Sequence, residues 1–340
     1  MTDKTEQIHT QPESIRDEKS PMKSILDLTS DAVKSAMEIL LKDRATGENI
    51  LFATEEYDGI SFDSQMTKKW VYGEGLEVLR PRVLKRLEEQ SKRTRKRAEV
   101  FTPSWICNKM NNHCDVEWFG RKNPFNTEDG QAWKTILDKI DFPEGRTWKD
   151  YILSTRLEIT CGEAPYLVSR YDAATGDIIP IADRIGMLDR KLRVINENTN
   201  SHRYWNEWVY RAFESVYGYE YQGDSLLIAR VNLLETFCEY TRARWQEEPG
   251  KSSLKRIANI ISWNLWQMDG IYGVVPFQES DSFLEEAPLP GQISFLEDMF
   301  PEEMRGTIYA PQATDCVLYD WKTQKKVKYQ ELKKGRENEI

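Results

Sequence analysis

The sequence has few cysteines and histidines, and their arrangement excludes the common disulfide and zinc frameworks. It contains five cysteines in 340 residues, and none forms a Cys-x-x-Cys pair. An odd, sparse set of thiols in a chain of this length predicts a reducing, cytoplasmic location. Cys107, His113 and Cys114 lie close together but match no common zinc spacing. We therefore interpret these three as packing residues on a helix and expect no metal.

Long apolar segments are also absent. No run reaches the ~18 residues that a membrane-spanning helix needs, so we expect no membrane contact. Residues 1–22 are polar and charged, contain Pro12 and Pro21, and lack the apolar core of a signal peptide. This composition predicts a disordered tail.

The charge balance is acidic, with 47 Lys+Arg against 56 Asp+Glu and a net charge of −9. Such a chain is not expected to coat nucleic acid non-specifically, although a local basic patch can still bind it. The densest basic run predicts contact with DNA phosphates. Its cations are Lys92, Arg93, Arg95, Lys96 and Arg97. The alternative is a solvated helix end, where cations also favour the helix dipole.

The spacing of apolar residues predicts an α/β protein with a mainly helical N-terminal region at 23–98. Residues 28–43 have helical spacing, with Thr29, Ser30 or Asp31 as candidate N-cap. From about residue 150, strand-like runs alternate with helical segments, which predicts a doubly wound, mostly parallel sheet with helices on both faces. The predicted strands are 157–160, 216–221, 258–267 and 316–320, and the predicted helices are 203–217 and 224–245. A long surface loop is expected at 276–314.

Acidic residues or a glycine turn stand at the ends of three predicted strands. Glu158 and the turn Cys161-Gly162, after which a helix is expected, belong to the first, Glu220 ends the second, and Asp269 follows the third. Ligands of open α/β sheets bind outside the carboxyl ends of the strands. Glycine lets a backbone approach a ligand, and an acid ending the second strand typically binds ribose hydroxyls. The ordered set predicts a nucleoside pocket, whereas any one acid alone is also explained as a helix cap.

These segments resemble the adenine-N6 DNA methyltransferases of restriction–modification systems, including their modification subunits, over roughly residues 97–322. Residues 99–103 look like the family's Phe-Thr-Pro segment beside the S-adenosyl-L-methionine (SAM) site. Residues 158–167 are similar to its Asp-Pro-Ala-Cys-Gly-Ser-Gly loop. Residues 217–234 are similar to its Gly-x-Glu strand and the helix that follows it. Residues 259–270 resemble the segment whose Asp faces the adenine of SAM. The resemblance implies a Rossmann-like SAM-dependent methyltransferase domain at 99–340. The implied cofactor contacts are Phe101, Thr102, Pro103, Glu158, Cys161, Gly162, Glu220 and Asp269.

The sequence also departs from that family. Ala164 replaces the loop's second glycine, and Glu158 and Glu220 are 220 − 158 = 62 residues apart, so an insertion is expected at about 173–202. The catalytic Asn-Pro-Pro-Tyr, which holds a flipped adenine, is absent. If 316–320 is the fourth strand, Asp320 and Trp321 stand where the family has its Asn and aromatic ring. These two are the candidate catalytic residues.

The resemblance implies a DNA adenine-N6 methyltransferase, or a modification subunit that acts with a partner chain supplying target recognition. The alternative is a catalytically inactive methyltransferase-like subunit that binds SAM or DNA and regulates a partner. A third interpretation takes Asp320-Trp321-Lys322 as part of a metal-dependent nuclease core. That interpretation needs an upstream acidic ligand, which the sequence does not identify.

Overall fold

The computed structural model describes residues 25–85, 102–276 and 314–332. Its helices are α1 (Asp31–Leu40), α2 (Lys68–Val71), α3 (Gly75–Val78), α4 (Ser104–Phe119), α5 (Trp148–Leu153), α6 (Met187–Asn198), α7 (His202–Glu214), α8 (Gly223–Trp245) and α9 (Lys251–Asn264). Its strands are β1 (Asn126–Asp129), β2 (Ala132–Thr135), β3 (Arg156–Glu158), β4 (Val216–Glu220), β5 (Leu265–Gln267), β6 (Val317–Asp320) and β7 (Lys325–Lys328). No helix within these ranges is both long and apolar enough to cross a membrane.

A three-stranded parallel sheet in the order β3-β4-β5 forms the centre of the fold. Leu157 pairs with Tyr217, and Tyr219 pairs with Trp266. Helices α6 and α7 connect β3 to β4, and α8 and α9 connect β4 to β5. Parallel strands need such crossovers, so the arrangement confirms the predicted mixed α/β class. Within the described ranges this sheet has three strands, and the predicted doubly wound arrangement is not confirmed.

The two faces of this sheet are covered differently. Side chains alternate along a strand, so Val216 and Leu265 face the large apolar cluster shared with the helices. Tyr219 and Trp266 face the other way and pack with a smaller cluster that includes Leu318. Leu318 belongs to the antiparallel hairpin β6–β7. In the part of the chain that the structure describes, a hairpin covers the face where helices were predicted.

Two helical predictions are confirmed, and two neighbouring predictions are wrong. Helices α7 and α8 match the predicted segments. The predicted strand 258–267 is helical up to Asn264, because Leu254, Ile257 and Ile261 recur at helical spacing and bury one face. The helix expected directly after Cys161-Gly162 is replaced by turns up to residue 172. Helix α6 instead lies in the segment predicted as an insertion.

The predicted fourth strand of the parallel sheet is also wrong. Strand β6 pairs with β7 in an antiparallel hairpin and is not part of the β3-β4-β5 sheet. Asp315, just before β6, bridges Val274 beyond the carboxyl end of β5. Trp321, just after β6, bonds to Asn264 at the amino end of β5. Strand β6 therefore runs opposite to the parallel strands.

The N-terminal region begins with the predicted helix α1. Among the three candidate caps, the Ser30 hydroxyl accepts a hydrogen bond from the Val33 N–H at 3.3 Å. Met37 and Leu40 of α1 are buried in the large cluster, and α1 packs against α8 and α9. The predicted tail 1–22, the basic run 92–97, Phe101 and most of the predicted loop 276–314 lie outside the described residues.

Arg230 of α8 connects this N-terminal region to the sheet. It is completely buried, and its guanidinium donates to the carbonyl of Leu265 at 2.6 Å and to that of Lys42 at 3.0 Å. It also donates to the carbonyl of Leu40. Burial lowers the pKa of Arg230 to about 9, against the opposing effect of the Asp43 carboxylate. Peptide carbonyls therefore provide most of the direct contacts that stabilise this buried cation.

Replacing Arg230 by Met tests this connection. We expect Arg230→Met to lower the free energy of unfolding by about 3 kcal/mol, because several buried carbonyls lose their donor. Urea denaturation followed by circular dichroism measures the change. Arg203→Met, at an exposed position on α7, is the matched control and should stay within about 0.5 kcal/mol of the parent. Equal stability of the two variants would contradict the structural role of Arg230.

Candidate functional site

The carboxyl ends of the parallel strands bring several predicted site residues together. The N–H of Cys161 donates to the carbonyl of Tyr219 at 2.8 Å. The next N–H, of Gly162, donates to the Glu220 carboxylate at 2.8 Å. The turn that follows β3 therefore lies directly against the end of β4. Cys161, Gly162 and Glu220 therefore lie together in one site. We call these three residues, together with Glu158 and Asp269, the carboxyl edge.

The turn after β3 adopts a backbone conformation that few residues accept. Thr160, Gly162 and Ala164 all have positive φ angles, of 45°, 53° and 64°. Such angles are strained for residues with a side chain and are common at ligand sites. Gly218 of β4 makes room for the turn, because a Cβ there would lie 3.3 Å from the Cys161 Sγ. The lack of a side chain at Gly218 therefore favours the close approach of turn and strand.

Glu158 at the end of β3 holds the loop that follows. Its carboxylate accepts hydrogen bonds from the N–H groups of Tyr166 at 3.2 Å and Leu167 at 3.0 Å. Burial and the nearby Glu220 carboxylate raise its pKa to about 8, although the two N–H donors favour the charged form. Glu158 therefore holds a proton to a higher pH than a free carboxyl group does, and its hydrogen bonds position the loop.

Glu220 and Asp269 supply the acceptors of the carboxyl edge. Besides Gly162, the buried Glu220 carboxylate accepts from the N–H of Gln222 at 3.1 Å. Asp269 is half-buried and accepts from the N–H groups of Ile271 at 2.9 Å and Tyr272 at 3.3 Å. A carboxylate accepts about four hydrogen bonds, so both side chains have the chemistry to receive hydroxyl or amino hydrogens as well.

Thr102 and Pro103 also lie at this end. The Tyr166 phenol interacts with the side chains of Thr102 and Cys107. Pro103 precedes α4, whose first N–H, of Ser104, donates to the Asp172 carboxylate at 2.7 Å. The start of α4 is therefore attached to the loop that Glu158 holds.

The cysteine–histidine cluster lies on α4, where Cys107 packs in the interior, Cys114 is half-buried and His113 is exposed. Cys107 is buried, and burial raises the pKa of its thiol. The His113 ring is 3.5 Å from the Glu117 carboxylate, one turn further along the exposed side of the helix. Among the described residues, no group of three or more His, Cys, Asp or Glu side chains is arranged to hold a metal ion.

Glu163 is a site residue that sequence patterns did not identify. Its carboxylate accepts from the N–H of Arg82 at 2.6 Å and from the Tyr171 hydroxyl. Asn232 of α8 donates to the Glu163 carbonyl at 3.0 Å. Glu163 therefore connects the loop to the N-terminal region and to α8. The only sequence signal was an acidic residue in a loop where small residues were expected.

The structure contradicts the placement predicted for Asp320 and Trp321. Asp320 accepts from the N–H groups of Lys322 and Thr323, within its own hairpin turn. The Trp321 indole donates to Asn264 at 2.7 Å, and the Asn264 amide donates to the Val216 carbonyl at the amino end of β4. Both residues lie at the amino end of the sheet because β6 runs the other way. The positional argument for their catalytic role is therefore wrong.

The raised pKa of Glu158 predicts a pH-dependent stability. The folded state holds a proton that the unfolded state releases near pH 4.5. The contribution of Glu158 to stability is therefore complete below pH 4.5 and is lost as the pH rises through about 8. We expect the free energy of unfolding to fall between pH 6 and pH 9, by roughly 2 kcal/mol from this group. Urea unfolding at the two pH values measures it.

The variant Glu158→Gln removes the titration and should flatten this dependence. Glu77→Gln, at an exposed position of α3, should behave like the parent. An undiminished fall in stability in Glu158→Gln would assign the pH dependence to other groups.

The carboxyl edge thus combines a strained turn, a buried carboxyl group of raised pKa and two acceptor side chains. Comparison with known proteins finds no matching family model, no matching curated protein and no matching solved structure. A functional proposal therefore depends on the residues and their geometry.

Proposed function

We propose that the carboxyl edge binds SAM and that the chain is a methyltransferase-like subunit of a DNA-modification system. The contact between Gly162 and Glu220 carries this proposal, with Asp269 following the next strand. These residues lie at or just beyond the carboxyl ends of three neighbouring parallel strands, in the order that the methyltransferase resemblance implies. The proposed subunit depends on a partner chain for target recognition and for the groups that hold the adenine.

The chemistry of the edge suits this cofactor. SAM carries ribose hydroxyls, an adenine amino group and a positive sulfonium, and it supplies the methyl group that the target nitrogen accepts. In the proposal, Glu220 accepts from the ribose hydroxyls and Asp269 from the adenine amino group. The backbone around Gly162 lets the ligand approach closely, because no atom lies within 4 Å of the position of a Cβ there. A set of carboxylates also favours a cationic ligand over an anionic one.

The dependence on a partner follows from the missing adenine-holding motif. A flipped base needs acceptors on its amino group and a ring to stack on. Asp320 and Trp321 are engaged at the amino end of the sheet, away from Glu220 and Asp269. Their position favours the catalytically inactive subunit over an enzyme that acts alone.

Calorimetry with the purified chain tests SAM binding. We expect heat on titration with SAM and with its demethylated product. Glu220→Gln should weaken SAM binding about 10- to 100-fold, because hydrogen bonds to a charged acceptor contribute about 1.5–3 kcal/mol. Glu214→Gln, just before the amino end of β4, is the matched control and should bind as the parent does. A folded chain that gives no heat with either ligand would reject the proposal.

Radiolabelled methyl transfer to DNA tests the need for a partner. We expect no transfer by the chain alone, and transfer when proteins from neighbouring genes are added. Asp320→Ala should leave that transfer undiminished, since Asp320 only closes its own turn at the far end of the sheet. Transfer by the chain alone that Asp320→Ala abolishes would restore the catalytic assignment.

A further inference from the structure

A surface formed by α9 and the β6–β7 hairpin concentrates positive charge on this acidic protein. Helix α9 contains three cations and no acidic residue, and β6 packs against it. We define the cationic face by its basic residues, which are Arg44, Lys251, Lys255, Arg256, Lys322, Lys325 and Lys326. All of them are exposed except Arg44, which is half-buried. With a net charge of −9 for the whole chain, such a concentration is a local feature.

Arg44 and Trp263 join the helix to the hairpin. The Arg44 guanidinium donates to Asn259 at 2.8 Å and lies 5.4 Å from the centre of the Trp263 ring. The Lys326 ammonium lies 5.3 Å from the same ring. The cations of α9 and those of the hairpin therefore form one continuous surface rather than two separate groups.

Two acids lie along this face, and each is engaged. Glu214 is 3.5 Å from Arg256, and Asp320 accepts hydrogen bonds within its own turn. An open cleft of about 460 Å³ borders the same face between α7 and α9. Its lining consists of His202, Arg203, Asn206, Glu207, Tyr210 and Arg256. From α7 the cleft adds one arginine, Arg203, and one acid, Glu207, so the uncompensated positive charge lies on α9 and the hairpin.

The aromatic rings here are already occupied. Trp263 is approached by two cations, and Trp321 is fixed by its bond to Asn264 and by an edge contact with Tyr319. Binding of unpaired bases depends on open rings that can stack on them. The cationic face lacks that feature and instead offers ammonium groups, which suit phosphate.

We propose that the cationic face binds the phosphate backbone of duplex DNA. Duplex DNA carries one negative charge per about 1.7 Å of its axis. The 14 residues of α9 extend along about 21 Å, which is long enough to follow several phosphates. The choice of DNA rather than another polyanion rests on the proposed function. It assigns DNA contact to residues other than the basic run 92–97.

Salt-dependent binding to a fluorescent 20-base-pair duplex tests the inference. The variant combines Lys255→Gln, Lys322→Gln and Lys325→Gln, all at exposed positions. We expect affinity at 0.1 M salt to fall roughly tenfold or more, and the slope of log K against log salt to become shallower by about 2 to 3. The matched control combines Lys34→Gln, Lys109→Gln and Lys139→Gln, which removes the same charge elsewhere. The control should retain the parent's affinity and slope.

A third variant separates the two basic regions. It combines Arg93→Gln, Arg95→Gln and Arg97→Gln. If only this variant weakens binding, or if the control weakens it as much as the cationic-face variant, the inference is overturned. Tighter binding of a single strand of equal length, or equal binding of poly-glutamate, would also overturn the assignment to duplex DNA. Calorimetry with SAM on the same variants keeps this result distinct from failure of the proposed cofactor site.

Discussion

The hydrogen bond from the Gly162 N–H to the Glu220 carboxylate determines the arrangement of the carboxyl edge. It fixes the turn after β3 against the end of β4, and that turn then directs the loop whose N–H groups reach Glu158. Because Glu158 and Glu220 are both buried and close together, one of them is best accommodated as the neutral acid. The raised pKa of Glu158 follows from this burial and from its closeness to Glu220.

Much of the sheet and its edge follows from local sequence. Strand β4 and helices α7 and α8 have clear periodicity, and Glu158, Glu220 and Asp269 stand at or just beyond strand ends that the chain order alone identifies. The segment before β5 was predicted as a strand because isoleucine favours strands. The spacing of its isoleucines instead fits one face of a helix. Local preference and periodicity disagreed there, and burial against the neighbouring helices determined the outcome.

Strand direction could not be predicted in the same way. Residues 316–320 have the composition of a strand, but which neighbour they pair with depends on contacts distant in sequence. Asp315, before β6, pairs with Val274, and Trp321, after β6, bonds to Asn264. Strand β6 therefore runs opposite to the strands of the parallel sheet. A one-dimensional pattern contains no information on that reversal, so Asp320 and Trp321 were assigned to the wrong end. Glu163 was missed for a related reason, since its partners Arg82 and Asn232 are far away along the chain.

Because Arg230 is buried, its contribution to the stability of the fold responds less to ionic strength than the charges on the surface do. Dissolved ions screen charges that face water, and they would weaken DNA binding by the lysines of α9 and the hairpin. Arg230 is inaccessible to those ions, and the direct contacts of its guanidinium are made with peptide carbonyls. Raising the salt concentration should therefore release a bound polyanion while α1 remains attached to α8 and the sheet. Salt washing would then yield a nucleic-acid-free protein that is still folded.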